Sequence, residues 1–417
     1  MRIGIDFGTT NSAVAVRQPD GRPRIVELFP GERVQRTVIH ASLDGPIRFG
    51  NAAFRAYVEE DLTGRFLRSL KAFLPADVPR TSLGGRRYEF SELIAAYLGF
   101  LIERTEEVLG DKVTEVVIGR PVVFHADPEK NALAERRLAG AARDAGIGAF
   151  GFQLEPVAAA HLYELGLDGP RTVLVGDFGG GTSDFAVFRA GPDRVAVRDR
   201  RPDVLATTGV AQAGDALDAE FMNLFLVESF GRDAWMRQPY TDALVQWEHP
   251  IHRQILKLYS LHLVRSPELQ RGLERIEPRM VDPVVVRRLR KLVFDDLGYP
   301  MAWAIERTKR ELSAAEVAPF TFDEFHNPAL NLSRDVRRAD YAAGCADLLR
   351  SYSAAIDRAI ALADTPIDDV FLTGGTSQLP FVRDLFVERF GADRIRGADA
   401  FTSVCEGLAL SGELLDR

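Results

Sequence analysis

Two short segments of the sequence combine an aspartate with glycines and threonines in nearly the same order. Residues 6–10 read DFGTT, and residues 177–182 read DFGGGT. A turn of this composition presents backbone N–H groups and hydroxyls to an anion and places a carboxylate where a metal ion could bind. One such turn alone is also a common hairpin connection. Two matching turns indicate a polyphosphate that is bound from both sides, with Asp6 and Asp177 near one magnesium ion.

A third glycine turn follows a buried strand near the end of the sequence. Residues 369–373 read DVFLT and are followed by Gly374 and Gly375. Adjacent glycines let the backbone approach a flat or phosphorylated ligand closely. An ordinary strand-to-helix turn has the same composition, so this element indicates nucleotide binding only in combination with the first two turns.

The elements that must position these turns occur twice. An apolar strand leads into each aspartate turn and a second strand leaves it. When Asp6 is aligned with Asp177, 171 positions later, the Phe-Gly pairs that follow coincide, and Ser12 coincides with Ser183. This offset is far longer than a solenoid period. The sequence therefore predicts an α/β protein with two facing copies of one lobe, and mostly helical structure over residues 215–313.

Length and composition bound the class of protein. The chain has 417 residues, too many for one ordinary core, and its formal net charge of −8 disfavours a broad nucleic-acid or anionic-membrane surface. No apolar run is long enough to span a membrane. Cys345 and Cys405 are the only cysteines, so there is neither a disulfide framework nor a zinc-ligand spacing. We therefore expect a globular protein of the reducing cytoplasm.

The three turns together resemble those of the actin-like ATPase superfamily. Longer runs resemble the seventy-kilodalton heat-shock chaperone family (heat shock protein 70): GIDFGTTNS at residues 4–12, EPVAAA at 155–160 and ERTKRELS at 306–313. The run IGRP at 118–121 is most similar to the short YegD-like branch of that family. The motifs keep the family's order over essentially the whole sequence.

The resemblance implies an α/β, actin-like fold of two duplicated ribonuclease H-like lobes with a nucleotide cleft between them. Lobe I would span residues 1–170, with a helical subdomain at about 36–109. Lobe II would span residues 171–402, with a helical subdomain at about 212–311. A last helix at 403–417 would pack back on lobe I.

The resemblance also implies ligands, namely ATP or ADP with Mg²⁺ and K⁺, and a role for each matching residue. The catalytic residues would be Asp6, Lys71, Glu155, Asp177 and Thr182, of which Asp6 and Asp177 would also serve the metal. The nucleotide would be held by Gly8, Thr9, Thr10, Asn11, Gly179, Gly180, Gly181, Asp184, Gly214, Glu306, Lys309, Arg310, Ser313, Gly374, Gly375, Thr376 and Gln378.

The lysine assignment rests on the family's lysine that follows a Gly-x-Ala-Ala run, which is present here at residues 50–53. The best match is Lys71, whose compact ammonium could neutralise charge that builds up on the γ-phosphate. The alternative is a solvated surface lysine. Because lysine occurs only six times in this arginine-rich sequence, we favour the functional assignment.

The adenosine assignment rests on four residues spaced i, i+3, i+4 and i+7, which places them on one face of a helix. An ordinary salt-bridged helix surface is the alternative for these residues. One position departs from the family, because Gln378 falls where an adenine-stacking arginine is expected and removes a cation–π contact.

The resemblance implies an ATP-binding, slowly hydrolysing chaperone ATPase module. The sequence ends at Arg417, so we expect no peptide-binding domain, and we expect residues 412–417 to be a frayed helix end although they resemble the start of an interdomain linker. We expect a monomer that binds nucleotide, with any protein partner docking on the ATPase surface. The alternatives are a filament-forming cytoskeletal ATPase and a small-molecule kinase of the same superfamily.

Overall fold

The computed structural model describes residues 1–42, 45–77, 80–197, 199–241, 243–322, 330–397 and 402–411. The strands are β1 Arg2–Phe7, β2 Asn11–Arg17, β3 Pro23–Ile25, β4 Gln35–Arg36, β5 Val38–Ala41, β6 Ile47–Phe49, β7 Arg65–Arg68, β8 Thr81–Leu83, β9 Arg86–Tyr88, β10 Glu115–Arg120, β11 Phe150–Leu154, β12 Arg171–Phe178, β13 Ser183–Ala190, β14 Val204–Val210, β15 Trp235–Arg237, β16 Leu244–Gln246, β17 Val317–Phe322, β18 Leu332–Arg337, β19 Asp369–Thr373 and β20 Ile395–Gly397. The helices are α1 Gly50–Glu59, α2 Phe90–Leu109, α3 Pro128–Asp144, α4 Glu155–Glu164, α5 Gly214–Phe221, α6 Ile251–Gln254, α7 Pro267–Ile276, α8 Val284–Phe294, α9 Gly298–Ala314, α10 Arg338–Gly344, α11 Ala346–Ala363, α12 Pro380–Phe390 and α13 Ser403–Leu410.

The chain forms two compact units. The first comprises Met1–Gly214 and Leu348–Arg417, and the second comprises Asp215–Asp347. None of the described helices is both long enough and apolar enough to cross a membrane. The predicted final helix ends at Leu410, and residues 412–417, where we expected a frayed end, lie outside the described residues.

Two sheets of the first unit share one topology. The order is β3-β2-β1-β10-β11 in one sheet, where β4 also pairs with β2, and β14-β13-β12-β19-β20 in the other. In each, a long antiparallel hairpin (β1/β2 or β12/β13) pairs with a third antiparallel strand on one side and two parallel strands on the other. The central strands read as continuous apolar runs because they are buried on both faces. The predicted α/β class and the internal repeat are confirmed.

Helices α4 and α13 pack against each other within the first unit. Helix α13 also contacts β1 and β2, whereas α4 also contacts β12 and β13. The helices cross very closely, because a Cβ built on Gly407 would lie 1.7 Å from the carbonyl oxygen of Ala158. A Cβ on Gly4 of β1 would lie 2.6 Å from the amide nitrogen of Ala409. Glycine at both positions lets α13 lie directly on its neighbours.

We therefore expect Gly407→Ala to destabilise the first unit severely, because a side chain at 1.7 Å from a backbone oxygen forces the two helices apart. The matched control is Gly99→Ala in α2, where a Cβ meets no atom of the described residues within 4 Å. This substitution should change the free energy of unfolding by less than about 1 kcal/mol. Thermal and urea unfolding would measure both. Equal unfolding midpoints for the two variants would contradict the close crossing of α4 and α13 at Gly407.

The second unit contains short helices and two antiparallel hairpins, β15/β16 and β17/β18. Helix α9 packs on β17, and Phe221, Phe320 and Tyr341 form aromatic contacts in the core. The β15/β16 hairpin lies inside residues 215–313, for which we predicted mostly helical structure. Its strands have only three residues each, too few for a period-two pattern to emerge.

Candidate nucleotide site

The two aspartate turns lie against each other in the first unit. A Cβ built on Gly180 would lie 2.6 Å from Thr10 Oγ1 and 3.1 Å from Thr9 Cβ. A Cβ on Gly181 would lie 3.0 Å from Thr9 Oγ1. The second turn is closed by a hydrogen bond of 3.0 Å from the Gly179 N–H to the carbonyl of Thr182. Backbone and hydroxyl groups of both turns are therefore concentrated in one place, as anion binding requires.

Beside the turns, four carboxylates surround one lysine. The Lys71 ammonium donates to Glu155 Oε1 at 2.5 Å, and both side chains are less than a tenth exposed. Asp177 and Asp184 are also buried, and Asp6 is half-buried. Among these five residues the lysine is the single cation, so the cluster holds an excess of acidic groups.

Burial and mutual repulsion shift the acid–base properties of this cluster. Burial, reinforced by Glu155, raises the pKa of Asp6 to about 7 although Lys71 opposes the change. The same two causes raise the pKa of Asp184 to about 7. The pKa of Asp177 is also raised well above its ordinary value, by burial and then by Glu155. Burial lowers the pKa of Lys71, but Glu155 and Asp6 outweigh it and leave the pKa raised. The lysine is therefore charged, and an additional cation would relieve the carboxylates.

The donor set fits a magnesium ion held together with a phosphate. Asp184 Oδ1 accepts the N–H of Val122 at 2.7 Å, but its buried Oδ2 has no hydrogen-bond partner among the described residues. Within the described residues, no three His, Cys, Asp or Glu side chains are arranged to hold a metal by themselves. Mg²⁺ characteristically takes one or two carboxylates and completes its shell with water and phosphate oxygens. The cluster offers carboxylates of this kind, and water and phosphate would supply the remaining ligands.

Local chain geometry places Lys71 and Glu155. Lys71 lies in a 3-10 turn, Leu70–Phe73, that follows Ser69 in the left-handed region at φ 53°. Such a conformation is costly for serine and is typical of functional sites. Glu155 is the first residue of α4, directly after β11. A Cβ on Gly119 would lie 3.2 Å from Glu155 Cγ, so the glycine of the IGRP run gives that side chain its room.

The other glycines predicted to bind nucleotide adjoin the second turn. The Gly214 N–H donates to the Gly179 carbonyl at 3.2 Å. Gly374 has φ 85°, and a Cβ there would lie 2.1 Å from the carbonyl oxygen of Phe178. Glycine at 374 is thus required for the packing of the backbone. Asn11 pairs with Arg36 on the neighbouring strand.

The residues after Gly374 form a short turn of their own. Gly375 begins a 3-10 helix that ends at Gln378. Thr376 is buried in this turn, whereas Gly375 and Gln378 are exposed. Gly8 lies at the end of β1, and a Cβ there would lie 2.2 Å from the carbonyl oxygen of Asn11, so the first turn also requires glycine.

The four residues predicted to hold adenosine lie on α9 in the second unit. Lys309 forms an ion pair with Asp218 at 2.7 Å. The Ser313 hydroxyl donates to the carbonyl of Arg310 at 2.6 Å. Glu306 is half-buried and Arg310 is exposed. At least two of the four polar groups therefore have partners within their own unit.

Several residues next to the cluster had no assigned role in the sequence analysis. The Val122 N–H that holds Asp184 comes from a residue 62 positions away. The ring of Phe124 lies under Lys71, with Nζ 5.9 Å from the ring centroid. Next to the first turn, Ser12 of β2 and Thr37 share a buried hydrogen bond of 2.8 Å. A backbone N–H donor such as that of Val122 and a ring contact such as that of Phe124 have no local sequence signal. Only the three-dimensional structure could identify these two residues.

A comparison with protein-family models gives an independent result. The model described as Hsp70 protein matches residues 76–237 and 300–417, which together are about two thirds of the chain. The match includes Glu155, the second aspartate turn and the Gly374–Gly375 turn.

Proposed function

This chain belongs to the Hsp70 family and contains a nucleotide-binding ATPase module of the actin-like superfamily, and from that premise we propose that it binds ATP with Mg²⁺ and hydrolyses it slowly. The proposal is carried by one observation. Lys71 is charged and buried among four carboxylates, directly beside two touching glycine turns. A polyphosphate and a divalent cation together would satisfy the turns and the carboxylates.

Each part of the site has a distinct task in this proposal. Backbone N–H groups of the two turns, with the Thr9 and Thr10 hydroxyls, would hold the phosphates. Lys71, fixed by Glu155, would face the charge that develops on the γ-phosphate in the transition state. Asp6 and Asp177 would hold Mg²⁺, which would neutralise phosphate charge. Other oxygen atoms of the site could coordinate K⁺. Glu155 and Asp184 would orient the attacking water.

The same geometry supports a slow rate. Phosphoryl transfer depends mainly on positioning and charge neutralisation, and an added arginine is worth about 10³–10⁵ in kcat. In the described cluster, Lys71 supplies the only side-chain cation. We therefore propose a low basal turnover, as suits a protein whose nucleotide state is read by a partner. A chaperone role, with a protein partner docking on the ATPase surface, is part of this proposal and follows from the family.

Calorimetry and phosphate release test the proposal. We expect ATP and ADP to bind in the presence of Mg²⁺, and EDTA to weaken the binding because the carboxylates then repel the phosphates. Phosphate should be released slowly from ATP without a second substrate, which a small-molecule kinase would require. Absence of nucleotide binding at millimolar concentration, with the protein shown to be folded, would overturn the proposal. Sedimentation with ATP separates this function from filament formation.

A further inference from the structure

A cavity lies between α3 and the first sheet, within the first unit. Its volume is about 230 Å³, and it is bordered by α3 and by the ends of β10 and β11. Glu135, Ala139 and Arg143 recur every four residues and therefore share the face of α3 that borders the cavity. None of the residues that the sequence analysis assigned to nucleotide binding borders it.

One part of the cavity is apolar and aromatic. Phe150 and Phe152 project from the same face of β11 and contact each other edge to face at 5.7 Å between ring centroids. Phe124 and Leu138 complete this part, and both are almost fully buried. A planar apolar group could therefore lie between aromatic rings, a favourable arrangement for such side chains.

The other part of the cavity is positively charged. Of the described residues, Glu135 is the only acidic one that borders it, and it already accepts hydrogen bonds from Arg120 at 3.3 Å and from Asn131 at 3.1 Å. Arg136 and Arg143 also border the cavity, and neither has a carboxylate partner within the described parts of the chain. The guanidinium of Arg143 lies 5.9 Å from the Phe150 ring centroid. The permanently charged guanidinium groups of Arg136 and Arg143 thus lie beside the aromatic part of the cavity.

We propose that this cavity binds a small aromatic monocarboxylate. The rings and Leu138 would take the apolar body, and Arg136 and Arg143 would take the carboxylate, for which the guanidinium geometry is well matched. The cavity is smaller than the roughly 300–1,000 Å³ of sites for drug-sized ligands. The size therefore suits one ring with a short acidic chain and excludes a nucleotide.

The cavity also adjoins the catalytic cluster. Phe124 borders the cavity and lies under Lys71, while Val122, two residues earlier, donates its N–H to Asp184. A ligand in the cavity is therefore expected to alter the rate of ATP hydrolysis. This consequence rests on the proposed function, whereas the binding itself does not, so the two are measured separately.

Calorimetric titration of the nucleotide-free chain with 3-phenylpropionate tests the proposal. Its uncharged analogue 3-phenylpropanamide and the ring-free anion acetate are the control ligands. We expect binding of 3-phenylpropionate alone, weakened about tenfold or more in Arg136→Gln/Arg143→Gln, because each charge-assisted hydrogen bond is lost. The matched control is Arg383→Gln, an exposed arginine of α12 outside the cavity, which should bind like the unaltered chain.

Three results would each overturn the proposal: no binding of 3-phenylpropionate at millimolar concentration, equal binding of the amide, or unchanged affinity in the double variant. Arg136 and Arg143 are both exposed, so loss of folding is not expected in that variant, and its thermal midpoint would verify this. Hydrolysis measured with and without 3-phenylpropionate then tests the coupling to the catalytic cluster.

Discussion

Replacing Lys71 by methionine is expected to slow ATP hydrolysis strongly and to destabilise the first unit, and both effects have one cause. The ammonium is the single cation among four carboxylates in a largely buried cluster. Removing one partner of a buried ion pair costs about 3–5 kcal/mol, because the remaining charge is left uncompensated. In the proposed mechanism this charge faces the γ-phosphate, so its loss should lower kcat by about 10²–10³-fold.

The double variant separates the two effects. Glu155→Gln in the Lys71→Met background removes the uncompensated carboxylate. We therefore expect the free energy of unfolding to recover in part while kcat stays low. Urea unfolding and phosphate release would be measured on both single variants and on the double variant. The control is Lys112→Met, which removes an exposed lysine paired with Glu106 and should change neither quantity measurably. An unaltered rate in Lys71→Met would show that another cation acts on the phosphate.

Gly180→Val is expected to prevent nucleotide binding while leaving the protein folded. Even a Cβ at this position would lie 2.6 Å from Thr10 Oγ1 and 3.1 Å from Thr9 Cβ. The additional methyl groups would occupy the space between the two turns that a phosphate would enter in the proposed site. We expect the Kd for ADP to rise by at least about a hundredfold, which corresponds to about 2.8 kcal/mol.

Gly99→Val is the matched control for this variant, because a Cβ at Gly99 of α2 meets no atom within 4 Å. Calorimetry with ADP and Mg²⁺ should give the same Kd for this control and for the unaltered chain. Circular dichroism and the thermal midpoint would establish that both valine variants are folded. If the Kd of Gly180→Val matched that of the control, the space between the turns could not be where phosphate binds.

The parts of the molecule that sequence alone predicted are those with local signals. The two aspartate turns repeat a motif flanked by apolar strands, and from this the duplicated topology followed. The family resemblance is confirmed, but the matched residues begin at 76, so the assignment of Lys71 remains a prediction. By contrast, the ion pair of Lys309 with Asp218 joins residues 91 positions apart. No pattern along the chain encodes such a contact, since each side chain taken alone is an ordinary surface residue.

Gly374 shows a different limit of sequence reasoning. Two adjacent glycines predicted close approach to a ligand, and close approach is what the structure has. However, the atom that a side chain at 374 would meet is the Phe178 carbonyl oxygen, 2.1 Å away, rather than an atom of a ligand. The composition of a turn indicates that space is restricted, but it does not say what restricts it.

The position of α13 determines when the first sheet can be completed during synthesis of the chain. Cys405 of this helix donates its S–H to the carbonyl of Gly4 in β1, across 401 positions of sequence. A ribosome therefore releases β1 long before the helix that covers it exists, and contacts of such high sequence separation form late. We expect the N-terminal strands to keep an exposed apolar face until residues 403–410 emerge, and such transiently exposed apolar surface favours aggregation.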